Sequence, residues 1–149
     1  MMPANFNPED VVISDLALVM LKGKDFYSYV YHNINNEELK SYFIGCFAEK
    51  ELFVKEILKE IREDLRLYIE MQYKTTDGIK IPPGSGLHAM VEEGLRLEKE
   101  TVKMYERAFK NELSGRLKTK LAGQYYGARQ RSLQLEELKN VERSFEVKR

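Results

Sequence analysis

The chain is poor in cysteine and has no excess of charge of either sign. Its single cysteine, Cys46, has no partner for an internal disulfide, and 24 basic and 24 acidic side chains give a formal net charge of zero over 149 residues. Proteins that coat nucleic acid or an anionic membrane usually carry a marked positive excess. The composition therefore argues against both of these functions.

Long hydrophobic runs are absent as well. No stretch of the sequence approaches the roughly 18 consecutive apolar residues that a membrane-spanning helix requires. The N-terminus has no basic segment followed by an unbroken apolar run, so no signal peptide is expected. We expect one cytoplasmic domain, residues 1–149, that does not enter a membrane.

Apolar residues recur at alternating steps of three and four along most of the chain, which is the spacing of one face of an α-helix. Four helices are predicted. The first begins with Asn7 as its N-cap and Pro8 at its first position. The second is predicted to run without interruption from Glu37 to Tyr73. The face of the first helix comprises Ile13, Leu16, Met20, Gly23, Tyr27, Val30 and Ile34, and that of the second comprises Phe43, Phe47, Glu51, Val54, Leu58, Ile61, Leu65 and Tyr68.

The segment Thr75 to Gly86 is rich in glycine and proline, which break helices, and is predicted to connect the second helix to the third. Fully extended, it could span roughly 40 Å, about the length of a 25-residue helix. A stop near Gly115 separates the third helix from the fourth. Two antiparallel helical hairpins joined by a long crossover form a standard four-helix bundle, and we predict this all-α fold.

Glu98 interrupts the apolar face of the third helix. That face comprises His88, Val91, Leu95, Glu98, Val102, Tyr105 and Phe109, and the face of the fourth comprises Leu117, Leu121, Tyr125, Ala128, Ser132, Leu135 and Leu138. A buried, ionised carboxylate without a partner costs several kcal/mol, so Glu98 should be paired, metal-bound, protonated or less buried than the pattern indicates.

Counting from the turns places several side chains at one height. Met20 and Glu51 lie at similar distances on either side of Asn35, and Glu98 and Arg131 lie at similar distances on either side of Gly115. An antiparallel hairpin brings such residues opposite each other. We therefore predict a shared layer in the middle of the bundle around Met20, Glu51, Glu98 and Arg131. The layer is also assigned Tyr27, Tyr105, Tyr125, Val54 and Ala128.

Three short segments carry a resemblance to a known family. Residues Gly23 to Tyr27, Ala48 to Glu51, and Glu98-Lys99 followed by Tyr105 resemble the rubrerythrin-like branch of the ferritin-like superfamily, over roughly residues 12 to 140. The resemblance implies a di-iron site built from one glutamate on each of two helices and a Glu-x-x-His motif on each of the other two.

The implied ligand set is degenerate. Only Glu51 and Glu98 match the six ligand positions of the family, and the other four hold Met20, Val54, Ala128 and Arg131. His32 and His88 lie near helix ends, several turns from this layer. Arg131 is predicted to pair with one or both carboxylates in place of the metal cation, because a guanidinium suits bidentate carboxylate pairing. In the alternative interpretation, Glu51 and Glu98 lie at the edge of the apolar stripe and extend their stems to water.

The favoured function is that of a metal-free, non-catalytic bundle that acts as an oligomeric binding or scaffold protein. The alternative is a di-iron or manganese oxidoreductase that acts on peroxide or oxygen, as the resemblance implies. A homodimer is expected through the end of the second helix, where Leu67, Ile69, Met71 and Tyr73 would project. Basic residues surround Tyr125 and Tyr126, but the zero net charge argues against a nucleic-acid partner. The sequence leaves open whether the layer holds a salt bridge, ordered water or a small ligand between Tyr27, Tyr105 and Tyr125. Cys46 is expected to be a core residue.

Overall fold

The computed structural model describes residues 3–76, 81 and 86–147, and from residue 142 onward it describes only the backbone. This part of the chain contains five α-helices and no strand, which confirms the prediction of an all-α protein. None of the described helices is long and apolar enough to cross a membrane. The helices are α1 (Pro8–His32), α2 (Glu37–Lys59), α3 (Glu63–Thr75), α4 (Leu87–Phe109) and α5 (Gly115–Val147).

Helix α1 begins where its capping signals predict. The Asn7 side chain accepts a hydrogen bond from the backbone N–H of Asp10, and the Asp10 carboxylate accepts one from the backbone N–H of Asn7. This reciprocal capping box satisfies backbone donors that have no partner inside the helix. Pro8 at the first position costs nothing there, because its missing N–H would have had no acceptor.

The prediction of one continuous second helix is wrong. Helix α2 ends at Lys59, and α3 begins at Glu63 after the backbone of Arg62 turns to an extended conformation. No glycine or proline marks this break. Arg62 instead forms two hydrogen bonds to Asp10, at 3.1 and 2.9 Å, and its guanidinium lies 5.6 Å from the centre of the Phe6 ring. Contacts with the start of α1 thus hold a bend that local sequence does not encode.

These contacts predict an acid-sensitive term in stability. Burial alone would raise the pKa of Asp10, but hydrogen bonds from Arg62 and from the Asn7 backbone, with the charge of Arg62, outweigh burial and lower it. A lowered folded-state pKa stabilises the fold above the unfolded value of about 4, and this contribution is lost as the pH falls through the folded pKa. Asp10→Asn should therefore cost about 1–2 kcal/mol at pH 7 and progressively less below about pH 4.

Urea unfolding at a series of pH values measures this difference. Asp64→Asn is the matched control, because the more exposed Asp64 also accepts a hydrogen bond from Arg62, at 3.1 Å. It should have a smaller effect at pH 7. A penalty for Asp10→Asn that stays constant from pH 7 to pH 3 would contradict the prediction.

Helices α1, α2, α4 and α5 contact one another in a closed ring of four pairs. Each of these pairs is antiparallel. In the pair α1–α4, for example, Tyr27 meets Glu98 and the earlier residue Met20 meets the later residue Tyr105. Since α2 and α4 are both antiparallel to α1, they run in the same direction. The chain must therefore return along the structure between the end of α2 and the start of α4.

Helix α3 makes most of this return. It runs alongside α1 in the same direction: Asp64 near its start lies 3.5 Å from Asn5, and Tyr73 near its end donates a 2.7 Å hydrogen bond to Asp25. The predicted extended crossover at 75–86 falls mostly on residues outside the described part of the chain, at 77–80 and 82–85.

The expected projection of this segment beyond the first helix is also wrong. Ile69 is fully buried and Tyr73 contacts α1, so only Leu67 and Met71 of the four residues expected to project are exposed, at 51% and 66%.

The predicted face of α1 is confirmed, since its members from Ile13 to Val30 are buried. The core has two clusters of buried residues. One lies around Leu16, Met20, Ile57 and Tyr105, and the other lies around Tyr27, Phe43 and Leu135. The polar residues of the candidate site lie at the junction of these clusters.

Candidate functional site

Glu98 is fully buried, and its partner is Lys50. The Nζ atom of Lys50 lies 2.9 Å from each carboxylate oxygen of Glu98, and the two side chains are 2% and 1% exposed. Lys50 comes from α2 and Glu98 from α4, two helices that lie diagonally opposite each other and are not neighbours in the ring. The ion pair therefore crosses the interior, and the stem of Lys50 lies over Gly23 of α1.

Tyr27 completes this centre from α1. Its hydroxyl donates a 2.7 Å hydrogen bond to Glu98 Oε1. Burial and the adjacent Glu98 charge raise the pKa of Tyr27 well above its usual value, so the phenol keeps its proton and remains a donor. The carboxylate thus receives one ammonium and one phenol, which satisfies its charge and much of its hydrogen-bonding capacity without water.

A second buried polar group connects three helices nearby. Tyr105 of α4 donates a 2.9 Å hydrogen bond to Gln124 Oε1 of α5, and its hydroxyl lies 3.2 Å from Met20 Sδ. Gln124 Nε2 donates to the Phe53 carbonyl and to Glu56, both on α2, at 3.1 and 3.2 Å. Burial, followed by the charge of Glu98, raises the pKa of Tyr105, so this phenol also stays neutral.

The predicted pairing of Arg131 with Glu98 is wrong. Arg131 Nε instead lies 3.2 Å from Oε1 of Glu49, its NH1 group donates to Gln134, and the guanidinium covers the ring of Tyr42 at 5.0 Å. Both charges of this pair are partly exposed. Arg131 therefore closes the outer edge of the α2–α5 contact and leaves the cation position in the interior to Lys50.

Glu51 does not face Glu98 either. Its side chain is 43% exposed and lies 3.7 Å from Lys55, one turn further along α2. The stripe predicted for α2 passed through Phe47 and Glu51, whereas the buried residues are Phe43, Cys46, Lys50, Val54 and Ile57. Both stripes have helical spacing and both contain one charged residue. A one-residue rotation of the helix thus exchanges Glu51 for Lys50.

The remaining predicted members of the layer lie as follows. Met20, Val54 and Ala128 are buried among apolar neighbours. Tyr125 is partly buried, with its ring 6.1 Å from that of Tyr105 and its hydroxyl donating to Glu106. The structure thus joins Tyr27 to Glu98 and Met20 to Tyr105, and places Glu51 and Arg131 away from them.

Sequence reasoning missed Lys50 and Gln124. One signal could have identified Lys50: Glu98 required a positive partner, and Lys50 alone offers one on an alternative apolar stripe of the second helix. Little in the sequence indicates that Gln124 is buried, because it lies next to the predicted face of the fourth helix and could equally belong to the polar side of that helix.

The donor set does not fit a di-iron centre. In the part of the chain that the structure describes, no three His, Cys, Asp or Glu side chains come together as metal ligands would. His32 bonds to the Ser28 carbonyl at the end of α1, and His88 lies 3.1 Å from Glu92 at the start of α4. With Lys50 against Glu98, a metal ion would meet an ammonium group instead of carboxylates and imidazoles.

Cys46 is buried near this centre, as expected for a core residue. Burial is the main cause that raises the pKa of its thiol to about 12; the charge of Arg131 opposes this shift, and the charge of Glu98 adds to it. Since the thiolate is the nucleophilic form, Cys46 is inert at neutral pH. The centre therefore contains a compensated ion pair, two neutral phenols and a neutral thiol.

No family model matches the chain, and neither a curated protein nor a solved structure matches it. The resemblance to rubrerythrin-like proteins therefore remains a prediction from short segments of the sequence.

Proposed function

We propose that the chain is a ferritin-like four-helix bundle in which an internal ion pair replaces the di-iron site, and that it acts as an oligomeric binding or scaffold protein. The directions of the helices support the first part. Helices α1 and α5 run one way and α2 and α4 the other, with the return connection between α2 and α4. Ferritin-like bundles have one such long connection.

The single observation that carries the proposal is the position of the Lys50 ammonium. It contacts both oxygens of Glu98, the one implied ligand that is fully buried, at 2.9 Å. A metal ion in a ferritin-like site neutralises inward-facing carboxylates, and here a side chain of the protein supplies that positive charge. The ammonium has no redox chemistry and leaves no open coordination position.

Because the ion-pair centre is buried, we infer that the surface of the protein carries its function. Tyr27, Lys50 and Glu98 are all buried, so a substrate would have to open the bundle locally before it could contact them. Leu67 and Met71 lie one turn apart on the outer side of α3 and are among the most exposed apolar side chains described. Adjacent exposed apolar groups favour contact with a second protein surface, which supports the homo-oligomer.

Metal analysis of protein purified without chelator tests the replaced centre. We expect well under one iron or manganese per chain by mass spectrometry, and no ligand-to-metal absorption after incubation with iron(II) in air. The variant Lys50→Glu/Met20→Glu places two further carboxylates in the interior. We expect it to bind more iron or manganese than the unaltered protein in the same measurement.

About two metal ions per chain in the unaltered protein, with ligand-to-metal absorption, would overturn the proposal in favour of a di-iron or manganese oxidoreductase. Light scattering on the same preparation tests the oligomer. A monomer at high protein concentration would reject that part while leaving the replaced centre standing.

A further inference from the structure

A groove unrelated to the Lys50–Glu98 centre lies on the surface between α1, the end of α3 and α4. Its volume is about 510 Å³. Leu18, Val19 and Met104 form its apolar floor, with α1 contributing the first two and α4 the third. Small-molecule sites commonly have volumes of about 300–1,000 Å³, so the groove is large enough for a ligand of medium size.

The acidic side chains around the groove are already engaged. Asp15 accepts a 3.1 Å hydrogen bond from Arg107, and Glu100 accepts one of 3.1 Å from Arg96. Asp25 accepts the hydroxyl of Tyr73 at 2.7 Å. Burial and this contact with Asp25 raise the pKa of Tyr73 to about 12, so the phenol keeps its proton and donates it in a hydrogen bond to Asp25.

The basic side chains around the groove differ in this respect. Lys22 of α1 and Lys74 of α3 line it, and neither has an ion-pair partner among the side chains that the structure describes. Both are exposed. The groove thus combines an apolar floor with two ammonium groups that form no ion pair with described side chains. Of its three carboxylates, Asp15 and Glu100 are paired with arginines, and Asp25 keeps its charge and accepts the Tyr73 hydroxyl.

We propose that this groove binds an organic monocarboxylate with an aliphatic body, of the kind of a medium-chain fatty acid. The chain would lie on Leu18, Val19 and Met104, and the carboxylate would accept hydrogen bonds from Lys22 and Lys74. Charge-assisted hydrogen bonds to an anion are the strongest contacts these lysines can make. A cationic or neutral amphiphile would gain the apolar contact alone. The site goes beyond the proposed function, because it shares no residue with the replaced centre.

Decanoate is the probe for this site. Titration calorimetry should show saturable binding, and the methyl signals of Leu18, Val19 and Met104 should shift in carbon-13 spectra. Lys22→Gln/Lys74→Gln should weaken decanoate binding by roughly 10- to 30-fold. Both lysines are exposed and make no ion pair with described residues, so this variant should fold, which circular dichroism checks.

Two comparisons make the result decisive. Lys118→Gln removes an exposed lysine of α5, a helix with no described residue in the groove lining, and should leave binding unchanged. 1-Decanol has the same aliphatic chain without the charge and should bind the unaltered protein more weakly than decanoate. The proposal is overturned if decanoate does not bind at millimolar concentration, if it binds Lys22→Gln/Lys74→Gln equally well, or if the shifted methyl groups lie outside the groove.

Discussion

Replacing Lys50 with methionine is expected to lower the free energy of unfolding by about 3–5 kcal/mol, because removal of one partner leaves a buried charge uncompensated. Glu98 would keep only the hydrogen bond from Tyr27. Small domains are usually stable by about 5–15 kcal/mol, so this substitution should remove a large part of the total. Urea unfolding followed by circular dichroism measures the loss.

The matched control is Lys55→Met on the same helix. Lys55 is 67% exposed and lies 3.7 Å from the exposed Glu51, so the change should stay within about 0.5 kcal/mol. The triple variant Tyr27→Phe/Lys50→Met/Glu98→Met distinguishes loss of pairing from loss of volume. It leaves no buried charge or unpaired hydroxyl at the centre and should regain most of the lost stability. A triple variant no more stable than Lys50→Met would contradict this account of the ion pair.

Gln124→Ala should cost about 2–4 kcal/mol, because it opens a cavity and removes the partners of buried polar groups. The amide accepts from Tyr105 and donates to the Phe53 carbonyl and to Glu56, so one side chain joins α4, α5 and α2. Thermal and urea unfolding both measure the effect, and the exposed Gln130→Ala on the same helix should change stability by less than about 0.5 kcal/mol.

A double-mutant cycle with Tyr105→Phe tests whether the hydrogen bond itself carries part of this cost. In the Tyr105→Phe background, Gln124→Ala no longer leaves a phenol without its acceptor. Its penalty should then fall by about 1 kcal/mol. Strictly additive penalties would assign the whole effect of Gln124 to volume and to its contacts with α2.

Much of the fold could be predicted because the apolar stripe of α1 has only one reasonable register. The stripe predicted for α4 is correct in part: Val91, Leu95, Glu98 and Tyr105 are buried, whereas His88, Val102 and Phe109 are only half-buried. The stripe of α1 from Ile13 to Val30 is buried, and the cap at Asn7 fixes where that helix begins. Glu98 was expected on the buried face of α4 and is fully buried there. Burial of a carboxylate then required a compensating group, and one is present.

Helix α2 could not be predicted as well because its sequence supports two stripes. Phe43 and Val54 belong to both, and the residues between them decide whether Glu51 or Lys50 faces inward. Local sequence is indifferent to this choice. The charge of Glu98 decides it, through a contact across 48 positions of the chain.

The counter-charge was misassigned for a related reason. Counting residues from a turn gives the height of Arg131 along the bundle but not the direction in which it points. At the same height, Arg131 reaches outward to Glu49, and Lys50 of α2 contacts Glu98 instead. The break at Arg62 likewise depends on Asp10, a tertiary contact with no local signal.

Because α3 folds back on α1, the first three helices have partners within the first half of the chain, whereas α4 and α5 are partners of each other. The ion pair takes Lys50 from the first half and Glu98 from the second. During synthesis, Lys50 therefore leaves the ribosome before its counter-charge exists and stays hydrated until α4 docks. Burial of the Lys50 ammonium therefore requires that the two halves of the chain have docked against each other.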